Sequence, residues 1–390
     1  MQLERTLKMA MVGGGPDAFI GEVHRKAARM DGGIEIVAGS FSSNAKKSEE
    51  TGRKLLLDPA RIYSSYEDLA ERERRLPDGK RADFAAVVTP NDAHFPIAKK
   101  LLESGLHVMC EKPMTVNVGE ARELQKLVQS SGKVFALMHN YTGYPMVKLA
   151  RDMVRGGDLG EIRKIVVQYP QGWLAGPLEN TGNVQALWRT DPARSGAAGS
   201  LGDIGTHCEN LSEYITGLRI THVCADITSF VKGRRVDDDA NCLLRFENGA
   251  KGVLHISQIA IGEENDIAIW IYGTKKSLEW HQEHPNYLHV KEPDGPVHVY
   301  RRGNPYVGRK SPAAARATRL PSGHPEGFIE GFADVYRNFA DTVRATLTGT
   351  LPDKLALDFP GVDDGLRGML FIDAVIASAQ SSEKWTPMPS

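Results

Sequence analysis

An acid and an imidazole stand four residues apart in the segment LGDIGTH, where they are Asp203 and His207. If residues 202–214 form a helix, that spacing brings both side chains to one face. A third charged group, Lys112, comes two residues after an apolar run that ends at residue 110. These residue types can take a proton from a hydroxyl and hold the hydroxyl in place. We therefore predict that Lys112, Asp203 and His207 are catalytic.

Each of the three has a purely structural alternative. Asp203 could cap the start of a helix, because an anion is stabilised there. His207 could pack at an interface with its nitrogens satisfied, and Lys112 could belong to a solvated loop. Lys112 does, however, follow the carboxyl end of a predicted strand, where ligands bind in doubly wound sheets. Pro113 rigidifies that turn, and the sequence leaves its cis or trans isomer open.

Glycines near the N-terminus indicate a phosphate-binding loop. Gly13, Gly14 and Gly15 follow an apolar strand, and Gly21 lies near the start of the next helix. Glycines let the backbone approach a pyrophosphate, and the amides of the helix N-terminus hold the anion. The usual GxGxxG spacing fails here, so the alternative is a simple glycine turn. From its place after the first strand, we predict that Gly13, Gly15 and Gly21 bind a dinucleotide.

The end of the second strand decides between NAD and NADP, since an acid there favours the ribose 2′-hydroxyl of NAD. Residues 39–47 read GSFSSNAKK and contain no acid. The serines, with Ser40 first among them, and the lysines could hold a 2′-phosphate, or they could form a helix cap and a solvated first turn. NAD and NADP therefore both stay open. With either cofactor, the three catalytic residues would serve hydride transfer between a nicotinamide and a carbon that bears a hydroxyl.

Two different patterns must position these residues. Residues 8–140 alternate apolar strands with amphipathic helices, which is typical of a parallel sheet covered by helices. The later part is rich in strands joined by short turns, and two helices close it near residues 325–347 and 361–379. We predict an α/β fold with two domains. Residues 1–142 form a Rossmann doubly wound parallel sheet, and residues 143–390 form an α+β domain with a large, mainly antiparallel sheet.

The composition argues against several classes of function. The chain has 390 residues and a formal net charge of −1, so no overall field attracts nucleic acid or a membrane surface. No apolar run of about 18 residues would span a membrane, and no apolar signal region begins the chain. Four scattered cysteines without a CxxC pair favour the reducing cytoplasm. His281 and His284 lack a third ligand, so we predict no metal, and the acids at 237–239 are interpreted as a solvated turn.

Four motifs together carry a family resemblance: the loop at 13–15, TPNxxH at 89–94, EKP at 111–113 and DxGxH at 203–207. In this order the chain resembles the Gfo/Idh/MocA oxidoreductases over nearly its whole length. The resemblance implies a homo-oligomeric sugar or cyclitol dehydrogenase that uses NAD, with NADP as the alternative. It implies that Lys112 contacts substrate and nicotinamide, while Asp203 orients the sugar and His207 acts as the base. The cofactor-lining residues that it implies are Thr89, Asn91, His94, Glu111, Trp188 and Arg189.

The family also contains NAD-dependent glycosidases, which oxidise a ring hydroxyl transiently and reduce it again after the aglycone has left. That chemistry needs a further base, for which Tyr141 and Tyr144 are candidates unless they merely pack at the domain junction. Residues 168–194 are rich in groups suited to a sugar, among them Trp173 and Arg194, and arginines would suit an anionic sugar. The alternative for this segment is a polar loop at the sheet edge. A third hypothesis is a non-catalytic sensor of a sugar or dinucleotide.

Overall fold

The structure is a computed structural model that describes residues 3, 5–16 and 18–389. The residues outside this description are Met1, Gln2, Glu4, Asp17 and Ser390. Residue 1, where the first predicted domain begins, and residue 390, where the second ends, are therefore not described by the structure. Within the described residues, no helix is long and apolar enough to cross a membrane.

Chain contacts divide the protein into two compact units. Their ranges are Met1–Asn140 with Phe332–Leu366 for the first unit, and Tyr141–Gly331 with Arg367–Ser390 for the second. The division predicted from the sequence differs from this one mainly at residues 332–366, which were expected in the C-terminal domain. They join the first unit because their apolar side chains cover its sheet. Phe339, for example, packs edge-to-face on Phe84 with ring centroids 5.1 Å apart.

The first unit is built on a five-stranded sheet in which every neighbouring pair is parallel. Its strands are β1 (Leu7–Gly13), β2 (Ile34–Ser40), β3 (Phe84–Val88), β4 (His107–Cys110) and β5 (Phe135–Leu137), in the order β2-β1-β3-β4-β5. The helices between them are α1 (Phe19–Arg29), α2 (Ala45–Lys54), α3 (Tyr66–Arg75), α4 (His94–Glu103) and α5 (Val118–Ser131). All of β3 is buried, as expected for a parallel strand covered on both faces.

Helix α3 does not appear in the sequence prediction, and the start of α2 appears there only as an alternative, because both helices are rich in charged residues. Their start signals are nevertheless present. The side chain of Asn44 accepts hydrogen bonds from the amides of Lys46 and Lys47 at 3.0 and 3.2 Å. The side chain of Ser65 accepts one from the amide of Asp68 at 3.2 Å. Side-chain oxygens at these positions satisfy the first helical amides, so the caps alone would have located both helices.

The second unit is built on a nine-stranded sheet. Its strands are β6 (Ile162–Pro170), β7 (Ile220–Thr228), β8 (Asp239–Phe246), β9 (Lys251–Ser257), β10 (Ala268–Gly273), β11 (Ser277–His281), β12 (Tyr287–Lys291), β13 (His298–Arg301) and β14 (Thr386–Pro387). They are arranged in the order β13-β12-β11-β10-β6-β9-β8-β7-β14. Among the described strands, only β6 and β9 pair in parallel in this sheet.

The remaining helices follow the same chain order. They are α6 (Pro145–Arg155), α7 (Val184–Arg189), α8 (Pro192–Ser195), α9 (Thr206–Thr216), α10 (Pro305–Lys310), α11 (Pro312–Arg316), α12 (Phe328–Thr348) and α13 (Val362–Gln380). A π-helical turn, Leu201–Gly205, leads into α9. The predicted fold class is confirmed: a Rossmann-type parallel sheet and a large, mainly antiparallel sheet. Strands β12 to β14 and the short helices were not predicted.

The close approach of Gly21 to the glycine loop gives a testable prediction. A Cβ on Gly21 would lie 2.4 Å from Gly14 Cα. We expect Gly21→Ala to lower the free energy of unfolding by about 1–3 kcal/mol, because α1 must shift away from the loop. Gly361→Ala is the control, since its Cβ would meet no atom nearer than 3.9 Å. Urea unfolding measures both variants, and equal stabilities would contradict this account of the loop.

Candidate active site

The glycine loop follows β1 and is pressed against its neighbours. Gly13 and Gly14 have φ of +85° and +69°, values that favour glycine. A Cβ on Gly13 would lie 2.2 Å from the carbonyl oxygen of Val88, and one on Gly15 would lie 2.7 Å from the carbonyl oxygen of the residue after β2. Gly21 closes the turn from the side of α1. The loop is therefore bare backbone before a helix N-terminus, as a pyrophosphate site requires.

The residues after β2 form the helix cap and solvated first turn that the sequence left open as an alternative. Ser40, the last residue of β2, is buried. Asn44 caps α2, and Lys46 and Lys47 lie exposed in the first turn of that helix. The segment is thus a cap and a solvated first turn. Contact of Ser40 with a cofactor stays a prediction.

The TPNxxH motif follows β3 and joins two loops. Asn91 is buried at the start of a short helical turn. His94 is fully buried, with Nδ1 2.8 Å from the carbonyl oxygen of Pro113 and Nε2 2.9 Å from that of Thr89. Burial lowers the pKa of His94, and a neutral ring donates to one carbonyl at a time. His94 therefore ties together the loops after β3 and β4, and its contact with a cofactor stays a prediction.

A buried carboxylate holds the loop after β4. Glu111 Oε1 lies 2.7 Å from His24 Nε2, and Glu111 Oε2 accepts a hydrogen bond from the backbone amide of Lys112 at 3.0 Å. His24 Nδ1 in turn lies 2.6 Å from the hydroxyl oxygen of Tyr336. Burial alone would raise the pKa of Glu111, but the hydrogen bond from His24 and the charge of Lys112 lower it below its usual value. Glu111 thus fixes the backbone of Lys112, whose peptide bond to Pro113 is cis.

His139 was missed by the sequence analysis, although a histidine close to the end of a buried strand is a signal for it. Cys110 and Leu137 are register partners on β4 and β5, so Lys112 and His139 both lie two residues beyond that pair. Burial, followed by the positive charge of Lys112, lowers the pKa of His139 to about 3. A neutral imidazole therefore lies beside the ammonium group of Lys112.

In the second unit, Asp203 lies in the π-helical turn and His207 in the first turn of α9. The helix predicted over 202–214 is present, but its first turn is wider. The amide of Thr206 donates to the carbonyl oxygen of Leu201, five residues earlier. Wide turns of this kind recur at functional sites.

The start of this helix is anchored by an acid that the sequence analysis placed in a solvated turn. That interpretation is wrong, because Asp237 and Asp238 are buried. Asp237 accepts hydrogen bonds from the amides of Gly199 and Leu201 at 2.7 Å and from the hydroxyl of Ser200 at 2.6 Å. Burial raises the pKa of Asp237 despite these donors. An anion at a helix start is stabilised by the unpaired amides there, which explains its position.

Two side chains hold the carboxylate of Asp203. Its Oδ2 accepts from Arg189 Nε at 3.2 Å and from Gln258 Nε2 at 2.9 Å. The guanidinium of Arg189 also lies 4.1 Å from the ring centroid of Trp188. Arg189 of the predicted cofactor pair is therefore joined to Asp203, the predicted catalytic acid, which balances its charge.

Gln258 belongs to a chain of amides that the sequence analysis missed. Gln171 and Gln258 directly follow the parallel strands β6 and β9, whose last residues are register partners. Gln258 Nε2 donates to Gln171 Oε1 at 3.4 Å, and Gln171 Nε2 donates to Asn265 Oδ1 at 2.8 Å. Only the sheet register brings these residues together, and no local sequence pattern predicts their contact.

The amide chain ends at two tyrosines beside His207. The rings of Tyr141 and His207 are edge-to-face with centroids 4.8 Å apart. The hydroxyl oxygens of Tyr141 and Tyr169 are 2.5 Å apart, and Tyr169 donates to Asn265 Oδ1 at 2.7 Å. Tyr169 has one proton, so the proton between the two hydroxyls is that of Tyr141. Burial raises the pKa of Tyr141 well above its usual value, which argues against Tyr141 as a base.

Tyr144 lies in the core of the second unit. It is 1% exposed, packs edge-to-face on Trp280, and its hydroxyl accepts a hydrogen bond from Gln282 Nε2 at 3.2 Å. Burial raises the pKa of Tyr144 far above its usual value. Tyr144 therefore packs in the core, as the alternative interpretation stated, and it presents no surface to a substrate.

The segment predicted to suit a sugar is anchored by Arg234. Its buried guanidinium binds both carboxylate oxygens of Glu179 at 2.9 and 3.0 Å and Asp238 Oδ2 at 3.0 Å, and it donates to two main-chain carbonyls. Trp173 is 37% exposed beside this anchor, while Arg194 is exposed on α8. Substrate contacts by Trp173 and Arg194 stay predictions. No group of three or more metal-ligating side chains was found among the described residues.

Comparisons with known proteins cover both units. A model of the oxidoreductase family with an NAD-binding Rossmann fold matches residues 7–139, and one of the GFO/IDH/MocA C-terminal domain matches residues 147–279. An oxidoreductase structure from Sinorhizobium meliloti is 42% identical, with a TM-score of 0.86 and coverage of 98% of this chain and 99% of that one. An inositol dehydrogenase homolog from Azotobacter vinelandii, solved with NAD+, is 35% identical, with a TM-score of 0.93 and coverage of 99% and 98%. The levoglucosan dehydrogenase of Pseudarthrobacter phenanthrenivorans is 26% identical and covers 99% of each chain.

With the parallel sheet and the glycine loop, these matches define an NAD-binding oxidoreductase. The chain belongs to the GFO/IDH/MocA oxidoreductase family, and its first unit is the NAD-binding Rossmann domain. The residues of that unit fit NAD. A Cβ on Gly13 would lie 2.7 Å from Thr89 Cγ2, so Thr89 borders the bare loop. The hydroxyl of Thr89 is buried without a hydrogen-bond partner among the described residues, which suits a group that binds a ligand.

The anchor at Asp237 gives a second prediction. Asp237→Asn keeps the shape but places an N–H group against backbone and hydroxyl donors. We expect it to lower the free energy of unfolding by about 1.5–3 kcal/mol, the usual loss for hydrogen bonds to a charged group. Asp239→Asn is the control from the same acid run, and its change should stay within about 0.5 kcal/mol. Similar unfolding midpoints for the two variants in urea would show that Asp237 is no anchor.

His139 gives a prediction of pH dependence. An unfolded chain protonates a histidine near pH 6.5, while His139 stays neutral in the folded protein to about pH 3. Below pH 6.5 the unfolded state therefore binds the additional proton, and stability falls with falling pH. We expect His139→Gln to reduce that slope by about 1.4 kcal/mol per pH unit between about pH 6 and pH 4. Chemical denaturation at a series of pH values measures the slope.

His281 gives a control in which stability depends on pH in the opposite direction. Its Nδ1 lies 2.7 Å from Asp266 Oδ2, and that hydrogen bond raises the pKa of His281. The stability it contributes is present below the unfolded pKa and is lost as the pH rises through the folded pKa. His281→Gln should therefore lose stability on the acid side. A variant of His139 with the slope of the wild type would refute the assignment of a buried neutral imidazole.

Proposed function

We propose that the protein is an NAD-dependent dehydrogenase that oxidises a ring hydroxyl of a sugar, glycoside or cyclitol. The observation that carries the proposal is the carboxylate of Asp203, held by Arg189 and Gln258 one turn from His207. A fixed acid beside an imidazole is suited to orient a hydroxyl and to remove its proton. Family membership supports the same reaction class.

The proposed roles follow from the chemistry of each group. His207 takes the proton of the reacting hydroxyl, Asp203 accepts a hydrogen bond that orients the ring, and Lys112 donates one to the reacting oxygen. Glu111 positions Lys112 through its backbone amide. The chemistry supplied by bound NAD is the acceptance of a hydride from the carbinol carbon. Loss of the hydroxyl proton to His207 favours departure of that hydride, because the oxygen becomes electron-rich.

The pairing of charged side chains narrows the proposed substrate class to neutral polyols. The Azotobacter vinelandii homolog has also been solved with NADH and myo-inositol, and a second relative is a levoglucosan dehydrogenase. Arg189, an arginine of the segment predicted to suit a sugar, is paired with Asp203. That ion pair supports a neutral polyol over an anionic or sulfonated sugar. The exact polyol, a cytoplasmic location and assembly into a homo-oligomer stay predictions.

The redox-neutral glycosidase has less support. Its extra base would be Tyr141 or Tyr144, and both are buried with a pKa above the usual value. The hydroxyl proton of Tyr141 is also engaged by Tyr169. We therefore prefer the dehydrogenase, and the glycosidase and the sensor become outcomes of its test.

The test combines a substrate panel with one variant. Purified protein with NAD or NADP is offered neutral and anionic sugars, glycosides and cyclitols, while absorbance at about 340 nm and released aglycone are followed in the same wells. Lasting reduced cofactor with a neutral polyol is the expected result. His207→Gln should lower kcat about 10²- to 10⁴-fold, the usual contribution of a general base, and leave the Kd for NADH unchanged.

The control variant is His289→Gln on β12, which should keep the wild-type kcat. Aglycone release that needs only catalytic NAD and leaves no lasting absorbance would replace the dehydrogenase by the glycosidase. Ligand binding without turnover in either measurement would favour the sensor. A His207→Gln variant with full kcat would remove His207 from the role of base.

A further inference from the structure

Among the buried polar atoms of the first unit that lack a hydrogen-bond partner within the described residues, two lie just after strands of the parallel sheet. They are the hydroxyl of Thr89 and the side-chain Nδ2 of Asn140. Asn140 is 3% exposed, so bulk water does not satisfy its amide. Buried polar groups in native proteins are nearly always paired, because an unmade hydrogen bond leaves the full cost of desolvation. An unpaired donor that is retained in a native fold points to a missing ligand.

Both residues lie at the same edge of the five-stranded sheet. Thr89 directly follows β3, and Asn140 is the third residue after β5. The carboxyl ends of β3, β4 and β5 are neighbours, and Lys112 follows β4 between them. In open α/β sheets, ligands bind outside these ends.

The strand order shows which part of a dinucleotide this edge faces. The order β2-β1-β3-β4-β5 reverses between β1 and β3, and a dinucleotide spans the sheet across that point. The glycine loop lies on β1 and serves the pyrophosphate. Thr89 and Asn140 lie on the opposite side of the reversal, where the nicotinamide half of the cofactor is bound.

The charges at this edge suit a carboxamide and a ribose better than a phosphate. Glu111 is buried and engaged by His24 and by the backbone of Lys112. His139, next to Asn140, is held neutral by burial, which lowers its pKa to about 3. Besides the engaged carboxylate of Glu111, the polar groups at this edge are therefore the amide of Asn140, a hydroxyl, an imidazole and one ammonium. A phosphate would require more positive charge, whereas a carboxamide and a ribose need neutral donors and acceptors.

We propose that Asn140, together with Thr89, binds the nicotinamide end of the cofactor. Asn140 is then a ligand-binding residue outside the motifs found in the sequence. The inference deepens the proposed function on the cofactor side, and it is tested without any sugar substrate. Its failure is thereby separate from a failure of the proposed reaction.

The test measures the binding of two ligands and the stability of the protein without ligand. Asn140→Leu and Thr89→Val are titrated with NADH and with ADP-ribose, which lacks the nicotinamide, and their melting is measured without ligand. We expect each variant to bind NADH about tenfold more weakly, the loss of one hydrogen bond, and to bind ADP-ribose within about twofold of the wild type. Without ligand, both variants should be as stable as the wild type or more stable, because an unpaired buried group has been removed.

The matched controls are a threonine and an asparagine whose side chains have hydrogen-bond partners. Thr115 Oγ1 donates to the carbonyl oxygen of Asn117 at 2.8 Å, and Asn338 Nδ2 donates to that of Asp358 at 3.0 Å. Thr115→Val and Asn338→Leu should lose stability without ligand and keep their affinity for NADH. Equal losses for NADH and ADP-ribose, or lower stability with unchanged NADH affinity, would overturn the proposal. Wild-type binding of NADH without oxidation of any polyol would instead refute the proposed reaction alone.

Discussion

The positions of both candidate catalytic groups in the second unit depend on one buried carboxylate. Asp237 binds the amides of Gly199 and Leu201 and the hydroxyl of Ser200, at the start of the segment that carries Asp203 and then His207. The first amides of a helix have no acceptor within the helix, and here an acid from elsewhere in the chain supplies one. Because the acid is itself buried, its ionised form persists only while these donors are in place. Helix start and acid therefore stabilise each other.

The first unit uses a buried carboxylate in the same way but in a different electrostatic setting. Glu111 faces the imidazole of His24 and the charge of Lys112, and its pKa is lowered. Asp237 meets uncharged donors, and burial raises its pKa. The charge of the neighbours, rather than the depth of burial, decides the direction of the shift. The loop of Lys112 is thus held by a charge-assisted contact, and the helix of His207 by a set of neutral hydrogen bonds.

Contiguous patterns could be predicted from the sequence, and contacts between distant segments could not. The glycine loop, EKP and DxGxH are short segments whose chemistry is visible locally, and β1 to β5 are apolar runs between turns. Gln171 and Gln258 meet only through the register of β6 and β9. Asp237 was placed in solvent because acids before a strand are usually exposed, and its partners lie more than thirty residues away. Likewise, the periodicity of α12 predicts a buried face but does not say which sheet covers it.

The pairing of charges supports the proposed preference for a neutral polyol. Arg189 is balanced by Asp203, and Arg234 by Glu179 and Asp238, all within the second unit. A charged ligand would have to compete with these ion pairs, whereas a hydroxyl exchanges hydrogen bonds with water for hydrogen bonds with fixed side chains. Discrimination then depends on the positions of donors and acceptors. It can be strong, because a substrate that lacks one hydroxyl leaves a buried polar group of the protein unpaired.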